Sequence, residues 1–441
     1  MNGGTELRRA LGARQMAMIA IGGAIGTGLF LGSGFAIALA GPSVLLSYAV
    51  GGLIALLLMR ALSEMVARHP RDGGFGALAE RYLGAAPGFL LRWAYWSANV
   101  LAIGTEVTAV AVYMRLWFPA VPGLWWIGGF SALLVGVNLL SVRVYGAVEY
   151  GFSAVKVAAI AVFLLLGAVL LLHPPAGASY GFPVGELFPH GVGGTWVAVV
   201  VAIFSFMSIE AIAVAAGEAA DPARAVRRAF RMTLGRLLFF YLGTLFVTLS
   251  IVPWRSVGGD TSPFTLVMRL SGVPGAAAAV NAVLLVAALS SMNEQLYTAG
   301  RMLHGLAGAG LAPRGLARVS RQLVPVRALL ASSAGVAVAA GCYAWNPDGA
   351  FPAMIALSMF GALFTWGTIF LTHRRFRIAA GGRGSLGSTL GFGLVAAILL
   401  TTPFTAAFRA TLLWGVPFSI LLLAAFPFAR AARRREVAAP G

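Results

Sequence analysis

Twelve apolar runs follow one another along this 441-residue chain, each long enough to cross a lipid bilayer as a helix. A crossing takes roughly 20 apolar residues. The runs lie at 15–40, 43–66, 88–117, 124–142, 148–172, 193–217, 231–253, 274–304, 326–345, 350–372, 386–405 and 408–429. The links between them are too short for a soluble domain. Such a chain is expected to be an all-α membrane protein, because a helix satisfies its backbone N–H and C=O groups without water. Composition agrees: only 10% of the residues are charged, against about 25% in soluble domains. Several runs exceed the minimum, which leaves room for tilt or an internal break.

Orientation follows from arginine. With the N-terminus in the cytoplasm, 27 of the 31 Arg fall on the cytoplasmic side or at cytoplasmic helix ends. Arg68, Arg71 and Arg81 follow the second run, and Arg224, Arg227, Arg228 and Arg231 follow the sixth. Arg314, Arg318 and Arg321 follow the eighth, and Arg374, Arg375 and Arg377 follow the tenth. Only Arg115, Arg255, Arg269 and Arg409 fall outside. An excess of this kind marks cytoplasmic loops. It predicts an even number of spans, both termini in the cytoplasm and a bacterial inner-membrane location. It also accounts for the net charge of +18 without nucleic acid, since no loop interleaves basic and aromatic residues as a strand-binding surface does. The short basic start and the long Gly-rich first run read as a retained helix rather than a cleaved leader. The longest external loop, 173–192, is rich in proline and is expected to cap the membrane surface.

Glycine marks the first run. Residues 22–34 contain six Gly, and each costs about 1 kcal/mol in a helix interior relative to Ala. Small residues can serve close helix packing. They can also mark an unwound segment whose freed N–H and C=O groups bind ions. Packing motifs keep to one stripe, whereas here the glycines fall on every face and Gly26-Thr27-Gly28 is nearly continuous, which fits a break better. The sixth run, Ile203 to Glu210 and beyond, supplies the counterpart, with an acid at membrane depth. Two broken helices five spans apart are the placement expected of a five-plus-five inverted repeat, although the halves share no visible sequence identity.

Lysine occurs once, at Lys156, inside the apolar fifth run. Arg stays protonated, but a desolvated Lys can release its proton. Lys156 is therefore the expected proton carrier. The plainer alternative is a side chain snorkelling from the cytoplasmic helix end. Glu106 on the third run and Glu294 on the eighth are the other intramembrane acids. Glu106 is expected to line a cavity, while Glu294 either lines the site or braces the bundle. Glu64, Glu149 and Glu218 are read as helix-end acids that pair with loop arginines. No histidine is expected to act as a ligand or relay. The single cysteine, Cys342, forms no internal disulfide. No phosphate loop or zinc-helix motif is present, so neither an enzyme nor an ATP-driven pump is expected, and no cofactor or metal beyond the coupling proton.

Three segments resemble the amino acid–polyamine–organocation (APC) superfamily, and within it the bacterial amino acid permeases. They are Arg14 through Gly34, Phe204 through Pro222, and Tyr297 through Val326. The resemblance spans about 11–430. It implies one transmembrane domain over 1–441, with repeats at 15–172 and 193–372 and two further helices at 386–429. Spans 1 and 6 are broken around a site halfway across the membrane. Matched position by position, the substrate carboxylate meets Gly26, Thr27 and Gly28, and the ammonium meets carbonyls near Ala24 and Phe204. Ile25, Ser205 and Glu210 fall within the same matched stretches. Phe204 matches an aromatic gate, Met207 a side-chain pocket, and Ile103 and Glu106 the wall on the third span. Lys156 matches a lysine of proton-coupled members, with Ile19, Gly22 and Ser290 or Ser291 as its partners. Asn293 and Glu294 are bulkier and more acidic than this position usually holds, which bears on selectivity. The function implied is proton symport of an amino acid, small or medium and neutral, by alternating access. The rivals are exchange of a basic amino acid or polyamine and, more remotely, a membrane-bound amino acid sensor. The oligomeric state is left open.

Overall fold

A computed structural model describes residues 25–69, 74–140, 142–175, 180–210, 222–258 and 261–438. The described chain is helical. Nine of its helical stretches are long and apolar enough to cross a membrane. Thr27–Phe30 (α1) leads through a one-residue turn into Gly32–Ala40 (α2). A 3-10 turn over Gly41–Ser43 then joins α2 to Val44–Arg68 (α3), so the first two apolar runs appear together. Phe75–Leu83 (α4) lies ahead of Ala85–Met114 (α5), and Gly84, at φ 107°, makes the reversal between them. A side chain would be strained at that angle.

Gly123–Leu140 (α6), Val142–Leu172 (α7), Gly191–Ser205 (α8) and Pro222–Ile251 (α9) follow. After a short helix, Pro263–Leu270 (α10), comes the 33-residue Ala276–Gly308 (α11). The ninth expected run is divided into Val326–Ser332 (α12) and Ala334–Trp345 (α13). Ala350–Ala379 (α14), Leu386–Thr401 (α15) and Arg409–Ala438 (α16) close the chain. One boundary departs from the sequence reading in a way that matters, since α7 begins six residues earlier than 148, and α8 stops at Ser205, inside the run expected to be broken.

The core is built around α5, which packs against α11, α13 and α14. It is buried almost all round, the signature of a central rather than an amphipathic helix. Small residues permit the contact. A Cβ on Gly335 would collide with the Val100 carbonyl, and one on Gly361 with the Ala94 carbonyl. The outer faces of α6, α7, α15 and α16 instead expose large apolar side chains, among them Leu133, Leu165, Leu400 and Leu421. Apolar surface this extensive belongs in lipid.

Both ends of the bundle are pinned. Glu64 on α3 accepts hydrogen bonds from Arg377 (3.1 Å) and lies 3.0 Å from His373 Nε2, both on α14. This is the arginine pairing the sequence suggested for Glu64. At the other end Glu186 accepts from Trp254 Nε1 (2.7 Å) and Arg255 (2.6 Å). Phe182 stacks on Phe246. Residues 182–186 are thereby tied to the end of α9 and to the residues that follow it. The two donors hold the Glu186 carboxyl below the usual carboxylate range.

Candidate functional site

The site forms where two helices end inside the bundle. Ile25 and Gly26 form a bend, and α1 begins at Thr27. The other end is that of α8. It closes at Ser205 with a turn over residues 206–210, in which Ser208 takes the left-handed φ of 70°. That conformation costs a non-glycine residue about 1–2 kcal/mol. A helix ending in apolar surroundings must place its carbonyls. Tyr241 Oη donates to the Ser205 carbonyl at 2.6 Å, and Tyr48 Oη donates to the Gly28 carbonyl at 3.2 Å. Tyr48 also lies 3.0 Å from Ser205 Oγ. The two ends therefore touch closely: a Cβ on Gly28 would stand 2.8 Å from Ser205 Cα.

Thr27, Ile103, Glu106, Ser205, Met207 and Glu210 are all buried here, as is Phe204. The Thr27 N–H donates to Glu106 Oε2 at 3.4 Å. A carboxylate at a helix N-terminus is electrostatically favoured, so Glu106 already occupies one of the N–H groups matched to a substrate carboxylate. The Thr27 hydroxyl lacks a partner of good geometry among the described residues, though it lies within reach of Glu106. Gly26 leaves space between these groups, since a Cβ there would meet Ser291 Oγ at 2.5 Å and Glu106 Oε1 at 3.2 Å. Ser205 is turned elsewhere, with its hydroxyl on Tyr48 and the Val201 carbonyl. Glu210 accepts from the Ser208 N–H (3.3 Å) and from Trp366 Nε1 (3.2 Å).

Lys156 lies 14 residues into α7 and is fully buried, which removes the snorkelling alternative. Its Nζ donates to the Ile25 carbonyl at 3.0 Å, within the Ile25–Gly26 bend, and Ser291 Oγ approaches the same carbonyl at 3.5 Å. Ser290 is engaged elsewhere. Ile19, Gly22, Ala24 and Glu218 lie outside the described residues.

The sequence reading placed Glu149 at a helix end, and the structure corrects this. The early start of α7 puts it two turns inside, fully buried. It accepts from Ser290 Oγ (2.5 Å), Asn293 Nδ2 (3.2 Å) and Ser153 Oγ (3.4 Å). Asn293 in turn accepts from Asn138 Nδ2 at 2.8 Å. Glu294 accepts from Thr298 at 2.8 Å through Oε1, and its Oε2 has no hydrogen bond among the described residues. The spacing Glu149, Ser153, Lys156 (i, i+4, i+7) would have flagged this face, had the helix start been read correctly.

Two helix ends meet inside a lipid-facing bundle, with carboxyls and one amine buried beside them, an arrangement that fits a membrane carrier. The comparisons agree. The family model described as "Amino acid permease" matches residues 15–427, so this chain belongs to the amino acid permease family of the APC superfamily. It is 38% identical over 380 residues to "Uncharacterized amino acid permease YtnA" of Bacillus subtilis, covering 84% of this chain and 82% of that one. It is 39% identical over 387 residues to "Aromatic amino acid transport protein AroP" of Escherichia coli K12 (86% and 84% covered). The AroP of Salmonella typhimurium LT2 is 37% identical over 434 residues, with 95% of each chain covered.

Proposed function

We propose that this permease imports a neutral amino acid by proton symport and alternating access. The observation that carries the reading is the Lys156–Ile25 hydrogen bond at the Gly26 bend. A buried ammonium that holds a backbone carbonyl at the mouth of the site links protonation to the shape of that site. Losing the proton turns a charge-assisted hydrogen bond into an ordinary one, a change of about 1 kcal/mol or more.

In this reading the substrate carboxylate binds at Gly26–Gly28 in competition with Glu106, and the ammonium binds carbonyls at the ends of α1 and α8. Ile103, Phe204 and Met207 form an apolar pocket suited to a small or medium neutral side chain. The relatives named for aromatic amino acid transport put aromatic substrates first among the cargoes to test. The proposed arrangement is one domain of twelve spans in the inner membrane, with both termini in the cytoplasm. Residues 15–172 and 193–372 form inverted repeats, and two helices lie outside them. Coupling uses the proton and no cofactor.

A second reading has one observation in its favour: Glu294 Oε2, buried without a hydrogen-bond partner among the described residues, would suit a second positive charge on the cargo. That describes an exchanger of basic amino acids or polyamines. A sensor is the remote alternative. A thermal-shift panel of the twenty amino acids identifies the cargo, because a ligand of the native state raises apparent stability. Uptake into proteoliposomes with an imposed pH gradient then tests coupling. Lys156→Ala is expected to lose accumulation against a gradient, and wild-type accumulation by this variant overturns the reading. Counterflow without a pH gradient, together with gradient-driven uptake that never appears, supports the exchanger instead.

A further inference from the structure

A recess opens away from the substrate site, at the end of the bundle that carries the Arg314–Arg321 loop. Asn138, Tyr145, Tyr297 and Arg301 line it, with residues of the 324–329 segment. Its empty space is about 320 Å³, mouth included, and the part open to water holds roughly one or two molecules. Tyr145 and Tyr297 stack face to face at 3.9 Å, and the Arg301 guanidinium lies over the Tyr297 ring at 4.4 Å. The Tyr145 hydroxyl is buried and has no hydrogen-bond partner among the described residues.

One turn along α7 from Tyr145 is Glu149, and the helix face continues through Ser153 to Lys156. These four residues fall at i, i+4, i+8 and i+11, on a single stripe. Glu149 receives three hydrogen bonds, from Ser153, Ser290 and Asn293. A carboxylate offers about four lone-pair directions, so one remains for a proton. The amides of Asn293 and Asn138 do not carry the proton. Asn293 clamps the carboxylate, and Asn138 holds Asn293 and itself borders the recess.

We propose that Glu149 is the proton acceptor for Lys156, and that the proton leaves through the Tyr145–Arg301 recess, by a route separate from the amino acid's. This deepens the symport reading and rests on it. The proton passes from the Lys156 ammonium along this face to Glu149, which the Ser153 hydroxyl already meets at 3.4 Å, leaving a neutral amine and a carboxylic acid. The acid then gives its proton to a water beside the Tyr145 hydroxyl, forming hydronium in the recess and restoring the carboxylate. The charges facing this stripe are Glu106 from α5 and Glu294 and Arg301 from α11.

The test uses purified wild-type, Lys156→Ala, Glu149→Gln, Glu149→Asp and Tyr145→Phe proteins in proteoliposomes. A pH dye inside reports proton entry, driven by a labelled mixture of the twenty amino acids. Glu149→Gln is expected to slow amino acid-driven proton entry about a hundredfold, the low end for a lost acid–base group. Glu149→Asp should restore part of it and Tyr145→Phe should slow it less. The mixture should still raise the melting temperature of Glu149→Gln. Proton entry at the wild-type rate in both Glu149→Gln and Tyr145→Phe overturns the proposal. Should Glu149→Gln fail to fold, a wild-type rate in Tyr145→Phe overturns it alone. A wild type with no amino acid-driven proton entry overturns the symport reading itself. Loss of coupling in Lys156→Ala with both other variants unaffected removes only the Glu149 route.

Discussion

Lys156 and Ile25 meet across 131 residues of sequence: the amine of one, 14 residues inside α7, donates at 3.0 Å to the backbone carbonyl of the other, the first residue of the Ile25–Gly26 bend. A buried ammonium is costly unless hydrogen-bonded. The bend supplies the acceptor because its carbonyls are not all committed to a helix. Charge and bend thus stabilise one another.

Removing that charge has a stability cost that is separate from transport. Lys156→Met keeps length and apolar bulk but leaves the Ile25 carbonyl without its charged donor. The expected loss is about 1.5–3 kcal/mol, the range for hydrogen bonds to charged groups. It is read as a lower melting temperature in detergent without amino acid. An unchanged melt would mean that the bond is only incidental to the fold.

Gly28 is predicted to tolerate no side chain. The obstruction is backbone, Ser205 Cα at 2.8 Å, so the ends of α1 and α8 must separate to admit a methyl group. Gly28→Ala should cost about 1–3 kcal/mol, as overpacking does, and Ser205→Ala in the same protein should not rescue it. A rescue would place the obstruction on the hydroxyl.

Ser208 is strained in the opposite sense. At φ 70° a glycine fits better, and Ser208→Gly should raise stability by up to about 1 kcal/mol. Differential scanning fluorimetry of the purified protein measures it. Destabilisation would show that the serine side chain contributes more than its backbone costs.

Glu186 links the outer cap to Trp254 and Arg255, and its carboxyl sits below the usual range. A carboxyl lowered in the folded state stabilises above its unfolded value and loses that contribution as pH falls through the folded one. Hydrogen exchange in residues 180–190 should therefore accelerate on acidification below the usual carboxylate range. Glu186→Gln should remove this pH dependence while leaving the overall melt nearly unchanged, since both partners are exposed.

Hydropathy made the helical character and most of the span positions legible, because lipid-facing helices need long apolar runs whatever their partners. The end of α8 was harder to see. Residues 203–210 contain neither Gly nor Pro, so the stop at Ser205 owes itself to tertiary hydrogen bonds from Tyr241 and Tyr48, which no local pattern records. Glu149 was misplaced because Val142 to Tyr145 reads as a loop edge while folding as the first turn of α7. A six-residue shift in that boundary moves this acid from a helix end to two turns inside α7. Ser290 and Ser291 could not be told apart for a similar reason: neighbours on a helix diverge by about 100°, and only the fold sends one to Glu149 and the other toward Ile25.

The contacts of Gly335 with the Val100 carbonyl and of Gly361 with the Ala94 carbonyl leave no slack between α5 and its two neighbours. Two surfaces joined backbone to backbone cannot slide without a collision. In any cycle that opens the site to one side and then the other, α5, α13 and α14 must travel as one block or stay still together. Ile103 and Glu106 are then fixtures of that frame. On the proposed reading, substitution at either would reshape what the site admits while leaving the fit of α5 to α13 and α14 as it is, so cargo preference could change without loosening that block.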